Sequence, residues 1–470
     1  VTVGFIANRC FISLPDVTVM NTQTQQDQHI TLKTKAAYGL GALGKDFACS
    51  IIYIFLMYYY TDVVGLSAAF VGGLFLVARI IDAFTDPMMG MIVDNTRSKF
   101  GKFRPWILIG TLINSVVLLM VFSAHKFTGN AAYVYAAITY ILWGVTYTIM
   151  DIPYWSMIPS LSSSREEREH LVVWPRIFAS IAWTVMGTYG LHAVGLLGDG
   201  NEGNGFLYLC VGIIISFIAS ALITFFQVKE KVETKISGEK FDASDVKKII
   251  GGNDQLKSLI GFVLSFNIAI QLIGGFAIYY FTYAIGREDL FPMFSLVAGI
   301  AEFSGIFLFP WIAKVVDRRF MWPLACGFPI LCSIVLFASS LVAPESAIMV
   351  GIAGAALKFG NGLFNGLSTV MLADVVDYGE QKTGLRSESI IFSVQTMLVK
   401  GAGALAGFLI GFGLTMIGYV PNEVQSAETI VGLKVLMILI PAILILLSAV
   451  IYKKTYRLDE RFKSGHAVPA

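Results

Sequence analysis

Twelve stretches of the chain are apolar for long enough to cross a lipid bilayer. They cover about residues 38–60, 66–92, 106–123, 131–158, 171–197, 206–228, 256–284, 291–313, 323–342, 347–372, 389–417 and 430–452. A helix needs roughly 20 apolar residues to span the hydrocarbon core. Barrel strands are shorter and alternate, and backbone groups in lipid must be satisfied within each segment, so the twelve are expected to be helices. A charged stretch rich in Lys and Glu, at about 229–255, divides them six and six. The pattern predicts an all-α membrane protein of twelve transmembrane helices in two six-helix bundles. Its parts are a polar N-terminal extension (1–30), a first bundle (31–228), a linker (229–255), a second bundle (256–452) and a tail (453–470). Within the extension, Met20 and the Gln-rich run after it read as the natural start, with the preceding nineteen residues an over-extended reading frame.

Composition agrees with the pattern. Apolar residues make up 56% of the 470 and charged ones 14%, with mean hydropathy +0.71, against about 45–50% and about 25% in soluble domains. Disordered, collagenous, coiled-coil and soluble enzyme classes are thereby excluded. A net charge of +2 leaves no basic surplus for nucleic acid. The five cysteines show no ligand spacing and read as small hydrophobes. Lys and Arg gather in the odd-numbered hydrophilic segments, among them Arg97 to Arg104, Arg165 and Arg168, Lys314 to Arg319, and Lys453 to Arg461. By the positive-inside rule both termini are expected in the cytoplasm.

Gly39 to Gly44 matches a dinucleotide fingerprint, but an apolar helix continues from it and Asp46 follows Lys45. Without a preceding strand, or a Ser or Thr after the Lys, the glycines read as helix-packing residues. No other cofactor motif occurs.

Ionisable groups inside a membrane are expensive, and each marks a functional hypothesis. The first bundle carries Lys45, Asp46, Asp82, Asp86, Asp151 and Arg176; the second carries Lys400, Glu302 and Lys358. Asp82 and Asp86 are four apart and share a helix face. They cannot both stay ionised in a low dielectric without a cation or a proton. With Glu302 and Lys358 set aside as an expected private salt bridge, three positive groups face four negative ones. A bound monovalent cation or a protonated carboxylate is expected to balance the remainder. On the fourth span Tyr147, Thr148, Asp151 and Trp155 form one stripe. A carboxylate beside an indole suits a sugar, since the carboxylate takes hydroxyls while the ring covers the apolar face.

Several motifs resemble those of the glycoside–pentoside–hexuronide cation symporters, which have the major facilitator fold. They are Tyr38 to Phe47, Tyr58 to Gly65, Arg79 to Pro87, Thr96 to Trp106, Tyr147 to Pro153, Ala373 to Glu380 and Ser393 to Gly401. The match runs in order from about residue 31 to 457. The resemblance implies uptake of a galactoside of the melibiose type, coupled to sodium, lithium or protons, in a bacterial inner membrane. It implies sugar contacts at Lys45, Asp46, Asp151, Trp155 and Arg176, joined by Gln395, Thr396 and Lys400 from the second bundle. It implies a sodium or lithium site at Asp82, Asp86 and Thr148, and no cofactor beyond that cation. Thr85 stands where sodium-using relatives have Asn, so it offers a shorter oxygen to that site and leaves lithium or protons open as coupling ions. Asn365 stands where these permeases have Trp.

The expected partners are therefore a small sugar, a monovalent cation and the lipid bilayer. Arg97, Arg168, Asp374, Asp377 and Arg386 are expected to form breakable salt bridges that gate the cytoplasmic side. Two alternatives stay open: a related symporter for another glycoside, pentoside or hexuronide, and a membrane-embedded acid–base enzyme using Asp82 and Asp86.

Overall fold

The computed structural model describes residues 30–162, 165–230, 251–383 and 388–458. Among these, twelve helices are long and apolar enough to cross a membrane. The first bundle holds α1 (Leu32–Val63), α2 (Ala68–Asp94), α3 (Arg104–Val121), α4 (Asn130–Ser156), α5 (Arg165–Gly198) and α6 (Glu202–Gln227). The second holds α7 (Asp254–Ile285), α8 (Leu290–Val315), α9 (Arg318–Val342), α10 (Ala347–Thr383), α11 (Glu388–Met416) and α12 (Ala427–Thr455). With twelve crossings, the start of α1 and the end of α12 lie on one face, called here the terminal side; the opposite face is the distal side.

Side-chain caps set several helix starts. Thr31, Ser67, Asn201, Asn253 and Ser426 each accept a hydrogen bond from the backbone N–H three residues on, satisfying donors that a helix leaves unpaired. α3 takes its cap from elsewhere in the chain. The Glu230 carboxylate, just beyond α6, accepts from the backbone N–H of Lys102 (2.8 Å), Phe103 (3.0 Å) and Arg104 (3.4 Å). Gly101, at φ +99°, makes room for it.

The glycine run of α1 serves packing. A Cβ on Gly39 would meet Phe178 of α5, and one on Gly41 or Gly44 would meet Thr224 or Ser220 of α6. Small residues also join the bundles to each other. A Cβ on Gly411 of α11 would lie 2.2 Å from the Ala68 carbonyl oxygen of α2. Gly187 of α5 faces Ser295 of α8, and Gly299 of α8 faces Thr184 of α5. These contacts fall in the distal halves of their helices, where small residues let backbones approach closely.

α1 and α7 end alike. Tyr58-Tyr59-Tyr60-Thr61-Asp62 and Tyr279-Tyr280-Phe281-Thr282-Tyr283 occupy matching places, each finishing in a π-helical turn. The repeat sets Asp62 opposite Tyr283, and the two are hydrogen-bonded. Tyr419 also donates to Asp62, and Asn422 Nδ2 donates to its backbone carbonyl at 2.6 Å. This network ties the bundles together on the distal side.

Candidate functional site

α1 and α4 are fixed to each other by a reciprocal pair of bonds. The Tyr38 hydroxyl donates to the Tyr154 carbonyl (2.6 Å), and the Tyr154 hydroxyl donates to the Tyr38 carbonyl (2.5 Å). Their rings stack at 4.5 Å. Trp155 follows directly, so its indole has a set position relative to α1.

Lys45 is buried among the groups that this arrangement assembles. Its Nζ lies 3.0 Å from Asp151 Oδ1 and 3.4 Å from Asp46 Oδ2. It also sits 5.3 Å from the Trp155 ring centroid and 5.8 Å from that of Tyr147. Trp183 of α5 donates its indole N–H to Asp46 at 3.3 Å. A cation held over aromatic faces between two carboxylates leaves the site with donors, acceptors and a flat apolar wall. Trp155 and Arg176, closer to the terminal side, are exposed.

The second centre joins α2, α4 and α11. Thr148 donates to Asp86 Oδ1 at 2.8 Å, and Lys400 reaches across from the second bundle to Asp86 Oδ2. Arg79 pairs with Asp82 at 2.6 Å and stacks over the Tyr53 ring at 5.5 Å. Gly144 lets Asp82 approach α4, since a Cβ there would lie 3.1 Å from its Oδ1. That Oδ1 is buried and has no hydrogen-bond partner among the described residues. Thr148 and Asp151 are three apart on α4, so one helix serves both centres.

The charge balance expected from sequence needs correction. Arg79 was left out of it, although it stands three residues from Asp82 on the same helix face. Asp82 and Asp86 each have a basic partner of their own, Arg79 and Lys400. With Arg79 counted, four basic groups face four acidic ones and the overall surplus disappears. What remains is local, a surplus negative charge where Asp46 and Asp151 share Lys45. Arg176 forms no ion pair with the carboxylates of either centre among the described residues.

Other expected residues divide as follows. Thr85 turns its hydroxyl back to the Asp82 carbonyl (3.4 Å) rather than toward Asp86, as a helical Thr commonly does. Asp374 pairs with Arg318 of α9 inside the second bundle, so this pair does not bridge the bundles. Arg97 and Asp377 are exposed. The side chains of Gln395, Thr396, Arg168 and Arg386 lie outside the described residues. Glu302 and Lys358 do pair, at 3.0 Å, as expected. Asp62, Tyr283, Trp183 and Tyr419 were missed. The repeated tyrosine-rich ends of α1 and α7 were a signal for the first two.

Comparison with known proteins bears on this geometry. The model of the family described as MFS/sugar transport protein matches residues 37–460. The chain belongs to this family. It is 32% identical to the inner membrane symporter YicJ of Escherichia coli (strain K12), over 91% of this chain and 92% of that one. It is also 32% identical to an isoprimeverose transporter of Lactiplantibacillus pentosus, over 86% of this chain and 85% of that one. Among solved structures, a D-xylose–proton symporter superposes with TM-score 0.65 at 14% identity, over 93% of this chain and 99% of that one. A point mutant of the nucleoside transporter NupG does so with TM-score 0.65 at 15% identity, over 90% and 99%. These two likenesses carry the fold alone.

The protein is thus a secondary active transporter that couples a small solute to a cation through the alternating-access fold of this superfamily. Its non-enzymatic class follows from the family, and Asp82 with Asp86 is not an acid–base dyad. No group of three or more His, Cys, Asp or Glu suited to a metal ion occurs among the described residues.

Proposed function

We propose that the protein takes up a galactoside of the melibiose type together with sodium, lithium or a proton, from a bacterial inner membrane with both termini in the cytoplasm. The observation that carries this reading is Asp151 beside Trp155 with Lys45 between them, 3.0 Å from the carboxylate and 5.3 Å from the indole. The carboxylates of Asp46 and Asp151 accept sugar hydroxyls, Lys45 and Trp183 donate, and Trp155 covers the apolar ring face. Arg176 enters from α5, and Gln395 and Thr396 belong to the second bundle's share of the site.

The coupling cation is cargo and takes its oxygens from Asp82, Asp86 and Thr148, with Thr85 beside Asp86 in the same helical turn. Lys400 holds Asp86 while the distal side is closed, and an arriving cation takes its place. α4 carries both Thr148 and Asp151, so neutralising Asp86 changes the setting of the sugar centre. Linkage then requires that the sugar tighten cation binding by the factor with which the cation tightens sugar binding. Rocking of the bundles about the mid-membrane site exposes it to each side in turn. On the terminal side Arg97, Arg168, Asp374, Asp377 and Arg386 are the candidate gate charges.

Uptake of labelled melibiose into proteoliposomes, with sodium, lithium or a proton gradient supplied separately, tests substrate and driving ion together. Uptake driven by one of them supports the proposal; uptake driven by none removes it. A second reading, transport of another glycoside or pentoside, is favoured by the isoprimeverose transporter among the relatives. Competition by unlabelled glycosides decides between the two.

A further inference from the structure

Glu302 of α8 is the centre of a polar cluster that the sugar and cation centres do not use. Its Oε2 accepts from Lys358 Nζ at 3.0 Å; its Oε1 accepts from Asn361 Nδ2 at 2.7 Å and from Asn365 Nδ2 at 3.4 Å. The three donors stand at spacings of three and four on α10, which makes one stripe.

The packing of both helices says where this cluster points. On α8, Ser295 and Gly299 touch α5 of the first bundle, while Gly305 and Phe309 touch Gly362 and Gly366 of α10. Glu302 falls between those two sectors. Ile300, Phe303, Phe307 and Trp311 occupy the opposite, exposed face. On α10, Gly362 meets α8, Gly360 meets α9 and Phe364 stacks on Phe266 of α7. The Lys358–Asn361–Asn365 stripe lies between the α8 sector and the α7 sector. Both elements therefore aim the cluster into the wedge between the bundles, away from lipid. It lies one helical turn to the terminal side of the Thr184–Gly299 contact, the same side as Arg176. It is also reachable, since the Glu302 and Lys358 side chains are 18% and 33% exposed.

We infer that the Glu302–Lys358–Asn361–Asn365 cluster is a substrate subsite, contributed by the second bundle, that binds a second neutral, hydroxyl-bearing unit of a glycoside. The inference rests on the sugar-transport reading above and narrows its substrate class. Lys358 and Glu302 cancel each other's charge, and the amides present both N–H and C=O. A hydroxyl, which donates and accepts at once, fits such a set. A uronate does not, because it would face Glu302 here and the surplus negative charge of Asp46 and Asp151 at the other centre. A private structural salt bridge would need neither amide, and would not need to face the wedge.

The test uses purified full-length protein in proteoliposomes and three labelled probes: melibiose with two sugar rings, methyl α-galactoside with one, and methyl glucuronide. The variants are Asn361→Leu and the charge-neutral double replacement Glu302→Gln with Lys358→Met. Expected is a fall of about tenfold in melibiose affinity, with methyl α-galactoside affinity changed less than about twofold, because only the two-ring substrate loses hydrogen bonds. Equal losses for both neutral probes would assign the cluster a structural role and overturn the inference. Unchanged affinity for both, or wild-type preference for the glucuronide, overturns it as well. Should the double variant fail to fold, Asn361→Leu, which leaves the ion pair intact, carries the test alone. Wild-type protein that binds methyl α-galactoside but gains nothing from the second ring defeats this inference while sparing the transport reading; binding of no neutral sugar defeats both.

Discussion

Lys400 of α11 pairs with Asp86 of α2, joining the two bundles through a charge in each. Thr148 donates to the other oxygen of the same carboxylate. The pair is partly accessible, with 27% and 21% of the side chains exposed, so its rupture should cost about 1–3 kcal/mol, below the range for fully buried pairs. Lys400→Met and Asp86→Asn should each lower the thermal midpoint in detergent, while the double variant recovers part of that loss. A thermal double-mutant cycle checks this. Strict additivity of the two losses would show that the pair contributes no coupling in solution. In transport assays, Asp86→Asn should also remove the cation dependence of sugar binding, since it deletes the carboxylate the cation needs.

Sharing of Lys45 by two carboxylates sets an asymmetry among variants. Asp46→Asn leaves a one-to-one pair of Lys45 with Asp151, and Trp183 can still donate to the amide oxygen. Lys45→Met leaves Asp46 and Asp151 without a basic partner in a buried site. Leaving buried charge uncompensated costs about 3–5 kcal/mol. Lys45→Met should therefore destabilise the protein far more than Asp46→Asn, although both weaken sugar binding. Thermal midpoints of the two variants, measured with and without sugar, test the order. A reversed order would place the surplus charge elsewhere.

The Asp62 carboxylate holds the distal side closed through hydroxyl donors, while Asn422 holds its backbone carbonyl. Thr61 at 2.5 Å, Tyr283 and Tyr419 all donate to its carboxylate. Tyr283→Phe together with Tyr419→Phe removes the second bundle's donors to the carboxylate and leaves the rings that pack there, with Asn422 still on the backbone carbonyl. The distal side should then open more often. Gln271 lines a cavity between the bundles beside Tyr53, Arg79 and Gly403. In a cysteine-depleted background, a cysteine at Gln271 should react several-fold faster with a membrane-impermeant thiol reagent from the distal side when both tyrosines are replaced. An unchanged rate would mean that the closure is held elsewhere.

Sequence made the architecture legible because lipid imposes one strong rule: a long apolar run has to become a helix. All twelve stretches became helices, with longer ends where polar turns extend past the hydrocarbon, as in α5, which starts at Arg165 rather than near residue 171. The glycines of α1 were rightly read as packing residues, for a fingerprint without its strand carries no phosphate chemistry. The stripe of Tyr147, Thr148, Asp151 and Trp155 was legible from helical periodicity, and all four meet Lys45 or Asp86 as that periodicity implies. Pairing was harder to read. Which cation meets which carboxylate depends on how helices face each other, and no one-dimensional tally contains that. Hence a count of charges did not show that Asp82 and Asp86 are partnered by Arg79 and Lys400. Asp62 was passed over because its partners are hydroxyls from α7 and from the turn after α11, more than two hundred residues away.

Contact between Gly72 and Gly411 supplies the last prediction. Where α2 crosses α11, a Cβ on Gly411 would lie 2.2 Å from the Ala68 carbonyl oxygen and 2.9 Å from the Gly72 Cα. Both obstacles are backbone, so no rotamer change relieves them, and any side chain at 411 must push the bundles apart on the distal side. Gly411→Leu should therefore favour the distal-open state. Sugar binding from that side should persist, while turnover falls about tenfold or more, because a cycle that needs distal closure now works against a clash of at least about 1.4 kcal/mol. Gly401→Leu on the same helix serves as the control, since a Cβ there would meet nothing within 4 Å. Equilibrium binding compared with counterflow in proteoliposomes separates the two effects. If Gly411→Leu turns over as fast as Gly401→Leu, close approach of these helices is not part of the transport cycle.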